Sequence, residues 1–93
     1  MANKVALITG GKRIGAVVAT TLAKAGIDAA LVYNRSRQEA DDTAAAVRAL
    51  GRRAFVVQAD VTNEDACNAA VAATVRELGR LDILINMASL YTA

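Results

Sequence analysis

The stretch LITGGKRIGAVVA, residues 7–19, passes from one apolar pattern to another through two adjacent glycines and two adjacent cations. Val5 to Thr9 is a continuous apolar run closed by Gly10-Gly11, the pattern of a strand buried on both faces. Ile14, Val17, Val18, Thr21, Leu22 and Ala25 follow at helical spacing, and Gly26 supplies a stop. A strand, a glycine turn and a helix between Val5 and Gly26 are the opening of a βαβ unit.

The same alternation continues downstream. Ile27 to Tyr33 reads as a second buried strand. Ser36 and Glu39 have capping-box spacing and open a helix carrying Ala40, Ala44, Val47 and Leu50 on one stripe, which stops at Gly51. Arg53 to Ala59 is the third strand. Asp60 to Asn63 is a loop in which Thr62 is the expected cap of a helix from Asn63 to about Leu78, with Cys67, Ala70, Val71, Thr74, Val75 and Leu78 inward. Gly79 ends it, and Leu81 to Asn86 is a fourth strand.

The order βαβαβαβ with short connections predicts an α/β fold, a partial doubly wound (Rossmann) domain with a four-stranded parallel sheet in the order 3-2-1-4. A domain of this type normally continues beyond its fourth strand, so residues 1–93 read as the N-terminal part of a single dinucleotide-binding domain, truncated there. Leu84 and Ile85 would then lie on an uncovered edge, which predicts self-association through that strand.

Composition narrows the chemistry. The 93 residues allow one domain, and 55% hydrophobic content excludes disorder. Net charge is +2, the basic residues are scattered and aromatics are 3%, which argues against a nucleic-acid groove. With one cysteine and no histidine, the chain holds no disulfide framework, no His-dependent triad and no His-ligated metal, so no metal site is expected. The start has no signal-peptide architecture, and uncharged runs such as Ile14 to Ala23 are too short to span a bilayer; a cytoplasmic location and no membrane partner are expected.

In an open parallel sheet, ligands bind beyond the carboxyl ends of the strands. Those ends are Thr9 to Gly15, Asn34 to Ser36, Ala59 to Val61 and Asn86 to Ser89. Gly10 and Gly15 have the separation of the first and third glycines in G-x-G-x-x-G, with Lys12 where the middle glycine would be. Glycine before a helix leaves free N–H groups and a positive dipole end for a phosphate, although an ordinary tight turn has the same spacing. A P-loop is excluded because Ala16-Val17, not Lys-Ser/Thr, follows Gly15.

The second turn is Tyr33-Asn34-Arg35-Ser36, with none of the carboxylates that an NAD reader uses on the adenine ribose. Arg35 and Ser36 would suit a 2′-phosphate, and one charge-assisted hydrogen bond of roughly 1.5–3 kcal/mol is worth about tenfold to a hundredfold in favour of NADP. A solvated loop arginine is the plainer reading of Arg35. Asp60 could accept from an adenine amine with Val61 over the ring, or could simply cap the next helix. Cys67, on an inward stripe, reads as packing.

Together the segments VALITGGKRIG, VYNRS, QADVTN and LDILINMAS resemble the short-chain dehydrogenase/reductase family, nearest to its pteridine-reductase-like and 3-oxoacyl-carrier-protein-reductase-like branches. The resemblance implies an NADP(H)-dependent oxidoreductase that moves hydride between nicotinamide and a small carbonyl, alcohol or imine. It implies that Thr9, Gly10, Arg13, Ile14 and Gly15 cradle the pyrophosphate side, Arg35 and Ser36 the 2′-phosphate, Asp60 and Val61 the adenine, and Asn86, Ala88 and Ser89 the ribose region. The loop TGGKRIG is one residue shorter than the family pattern, and Met87 and Ser89 depart from its Asn-Asn-Ala-Gly segment. The family's catalytic Ser and Tyr-x-x-x-Lys are expected beyond Ala93, and Tyr91 has no lysine four residues on to serve in their place. No catalytic residue is therefore assigned, and the 93 residues alone are expected to be inactive. A nucleotide-binding or redox-sensing module without turnover, and a remnant without function, are the alternatives.

Overall fold

In the computed structural model of the chain, residues 4–10 and 12–87 are described, the side chains of residues 12–14 excepted. Strands and helices alternate as β1 (Lys4–Thr9), α1 (Lys12–Lys24), β2 (Ile27–Tyr33), α2 (Arg37–Ala49), β3 (Ala54–Gln58), α3 (Glu64–Leu78) and β4 (Ile83–Asn86). One sheet results, in the order β3-β2-β1-β4, and every neighbouring pair is parallel. The expected α/β class and strand order are what the chain adopts.

The two-residue period of β1 and β2 divides their side chains between two cores. On one face Ile8, Ala29 and Leu31 meet Ala19 and Ala23 of α1 and Ala40, Ala44 and Val47 of α2. On the other, Val5, Leu7, Ala30 and Val32 meet Ala70 and Leu78 of α3. Both strands are covered on both sides, which is why their sequences are apolar runs rather than alternating ones. Alanines on α1 and α2 keep the bulk between helix and sheet small, so the larger Ile8 and Val47 can be fully buried on that face. Each such side chain is worth about 1.5–3 kcal/mol of transfer free energy.

Several helix details differ from the sequence expectation. Val17 is 64% exposed and Val75 and Leu50 are 42% exposed, although each falls on an apolar stripe. Thr21 and Ala25 are exposed too. The apolar arc of each helix is wider than the arc that touches the sheet, and Ala19, Ala23 and Ala73 hold the contact instead. The capping box is not formed: Ser36 precedes α2 but makes no side-chain cap bond. Thr62 does not cap α3 either; Asn63 does, its Oδ1 accepting from the Ala66 N–H at 3.0 Å. Thr62 instead donates its hydroxyl to Asp60 Oδ1.

The amino end of the sheet is closed by a buried carboxylate. Asp28, 3% exposed, accepts from the Arg53 backbone N–H and from Arg53 Nε, both at 2.9 Å. Arg53 Nη2 donates to the Leu78 carbonyl and Arg52 Nη1 to that of Gly26. Two guanidinium groups thus tie β2, the start of β3 and the end of α3 together. The carboxyl ends of the strands lie at the opposite side of the sheet.

Candidate functional site

Because the strands are parallel, their carboxyl ends lie along one side of the sheet and bring the four turns together. Backbone bonds fix those ends: Gly10 N–H to Val32 O, Ala59 N–H to Tyr33 O and Met87 N–H to Thr9 O. Thr9, buried, donates its hydroxyl to Asn86 Oδ1 at 2.7 Å, joining the first turn to the fourth. Thr9 is thus a strut under the turn.

Gly10 has φ +64°, the left-handed region that glycine enters without steric cost, and the chain turns there into α1. Gly15, in the first turns of that helix, lies against the same residue. A Cβ on Gly15 would sit 2.8 Å from the Gly10 carbonyl oxygen and 4.0 Å from Ile8 Cγ2. The two glycines therefore do different work. One bends the chain and the other lets the helix seat close to the strand.

Beside this junction a cleft of about 340 Å³ opens between β1, β2 and the starts of α1 and α2, within the lower range of small-molecule sites. Gly10, Gly15 and Ala16 form one wall, and Tyr33, Asn34, Arg35 and Ser36 another. Glu39, Ala40 and Thr43 of α2 complete it. Arg35 is exposed and makes no ion pair or side-chain hydrogen bond among the described residues. The Ser36 hydroxyl is likewise unspent on capping. Of the residues singled out in the sequence, Gly10, Gly15, Arg35 and Ser36 all line this cleft. Sequence reasoning missed Glu39, read as the partner of Ser36, and Thr43, whose hydroxyl donates to the Glu39 carbonyl.

Asp60 and Val61 lie in the third turn, outside the cleft wall. Asp60 Oδ1 accepts from the Thr62 hydroxyl at 2.6 Å and the Thr62 N–H at 2.9 Å. These bonds hold its carboxyl below the usual carboxylate range, and the positive charge of Arg35 acts in the same direction. The carboxylate closes its own turn and does not cap α3. Cys67, half-buried, donates from Sγ to the Val61 carbonyl, a loop-closing contact. The side chains of Arg13 and Ile14, and all of Ala88, Ser89 and Tyr91, lie outside the described residues. Among the described residues no helix is long and apolar enough to cross a membrane.

Comparison with known proteins agrees with this geometry. A family model described as short chain dehydrogenase matches residues 4–93. General stress protein 39 of Bacillus subtilis is 46% identical over 87 residues, covering 92% of this chain. The short-chain dehydrogenase/reductase homolog YusS of the same organism is 40% identical over 89 residues, covering 95% of this chain. The chain spans 30% of the former and 82% of the latter. Among solved structures, a double mutant of a Serratia marcescens short-chain dehydrogenase/reductase superposes with TM-score 0.89 at 38% identity, over 98% of this chain and 38% of that one. NAD+-bound xylitol dehydrogenase does so with TM-score 0.82 at 36% identity, over 89% of this chain and 32% of that one. Turn, sheet and sequence agree from Lys4 onward, and the chain belongs to the short-chain dehydrogenase family of oxidoreductases.

Proposed function

We propose that these residues are the cofactor-binding part of an NADP(H)-dependent short-chain oxidoreductase. The observation that carries this reading is the shared cleft: Arg35 and Ser36, both unspent within the fold, line the same wall system as Gly10 and Gly15. Gly15, with no Cβ to strike the Gly10 carbonyl, keeps the start of α1 seated against the strand end beside that cleft, where a helix N-terminus favours an anion.

When bound, the nicotinamide dinucleotide supplies the hydride exchanged with a small carbonyl, alcohol or imine. This chain's own residues bind and orient it. Gly10 and Gly15, with Thr9, Arg13 and Ile14 of the same loop, take the pyrophosphate side. Arg35 and Ser36 take the 2′-phosphate, where one charge-assisted bond is worth roughly 1.5–3 kcal/mol. Asp60 and Val61 flank the adenine, and Asn86, Ala88 and Ser89 the ribose region. No Tyr-x-x-x-Lys occurs in the 93 residues, so proton donation to a substrate is not among their tasks.

Calorimetric titration with NADPH and NADH tests this reading. NADPH should bind about tenfold or more tightly than NADH, with no oxidation of NADPH across a ketone and aldehyde panel. Equal affinity for the two removes the NADP assignment, and turnover removes the division of labour.

A further inference from the structure

The second turn carries no carboxylate in its sequence, yet the cleft contains one. α2 brings Glu39 into the same wall system as Arg35 and Ser36. Its spacing from Ser36 suggests a capping box, but the Ser36 backbone (φ −98°, ψ 62°) makes no side-chain cap. Glu39 accepts no hydrogen bond at its carboxylate and forms no ion pair among the described residues. Its acidic helix neighbours are engaged: Asp41 pairs with Arg37 and Asp42 accepts from Gln38. A cation and an anion thus line one cleft, neither neutralised by the other within salt-bridge distance.

We propose that Glu39 is a specificity-setting residue that works against Arg35: its negative charge weakens binding of a 2′-phosphate and so limits the preference for phosphorylated over unphosphorylated dinucleotides. This rests on the reading of Arg35 as the 2′-phosphate contact. The physical case is a sign argument. A phosphate dianion attracted by one guanidinium is repelled by a carboxylate in the same recess, and both effects are screened by salt. An unphosphorylated ribose carries no charge there, so it feels neither strongly. Asp60, in the third turn outside the cleft wall, keeps its charge under the Thr62 hydrogen bonds and adds repulsion of the same sign, and Glu39 is the carboxylate that lines the cleft itself among the described residues.

The test compares adenosine 2′,5′-bisphosphate with adenosine 5′-phosphate, which differ only in the 2′-phosphate, by calorimetry on the chain and on Glu39→Gln and Arg35→Gln. Both positions are exposed, and circular dichroism checks that the variants fold. Glu39→Gln should tighten the bisphosphate about threefold to tenfold at low salt, with the gain shrinking in high salt. Its affinity for the monophosphate should stay nearly constant. An unchanged or weaker bisphosphate affinity in Glu39→Gln, alongside a loss in Arg35→Gln, overturns the role of Glu39 and leaves Arg35 standing. If Arg35→Gln also leaves the ratio between the two probes unchanged, the phosphate reading itself fails, and the role of Glu39 with it.

Discussion

The Gly10 carbonyl oxygen lies 2.8 Å from where a Cβ on Gly15 would be, so strand and helix touch at a point that admits hydrogen only. Gly15→Ala makes this quantitative. In an unhindered helix the change gains about 1 kcal/mol. Here the obstacle is backbone, which cannot swing aside as a side chain would, and overpacking costs roughly 1–3 kcal/mol. Urea denaturation should show a net loss of stability together with weaker nucleotide binding. A more stable variant would mean that α1 does not seat on Gly10.

A buried charge holds the opposite end of the sheet. Asp28→Asn keeps the shape but removes the charge that Arg53 meets through two 2.9 Å bonds, and it turns an acceptor toward a donor. The expected cost is roughly 2–4 kcal/mol in chemical denaturation. A double-mutant cycle with Arg53→Gln should recover part of it as coupling, and additive losses would show that Asp28 and Arg53 act separately.

How much of this was legible in the sequence depends on how far apart the deciding residues lie. β2 ends where expected, at Ile27 and Tyr33, because both faces are buried and a glycine and an asparagine bound an apolar run. Asp28 interrupts that run, and its partner lies 25 residues away, so no local pattern announces it. Cap assignments failed for a different reason. Asp60, Thr62 and Asn63 are all good cap formers, and the choice is made by the Thr62 hydroxyl turning back to Asp60, which leaves Asn63 to serve the helix. Glu39 was hidden by its own motif: the spacing that suggests a reciprocal cap says nothing about the Ser36 backbone angles that prevent it.

Acid sensitivity should trace to Asp82 more than to surface carboxylates in general. Its carboxyl is held below the ordinary 3.8, first by Arg80 and then by the Val5 N–H, which donates to Oδ2 at 2.9 Å. A depressed folded-state value means that the contribution is fully present above the unfolded value and is lost as pH falls from there through the folded one. Unfolding curves taken from pH 5 downward should therefore steepen below about pH 4, and Asp82→Asn should flatten that slope. An unchanged slope would move the sensitivity elsewhere, with Asp60 the next group to examine because its carboxyl is lowered too.

β4 pairs with β1 on one side, and no described strand pairs with its other side. Its sequence, ILIN, has no charge or proline to discourage pairing with another chain, and Leu84 within it is 62% exposed. Leu84→Lys places a charge on that edge while leaving Leu7, its buried neighbour in register, untouched. Light scattering at rising protein concentration should show less self-association in the variant, with the helical circular dichroism signal retained. If scattering is the same for both proteins, contacts elsewhere, with exposed Val17 the first to test, would have to account for any association seen.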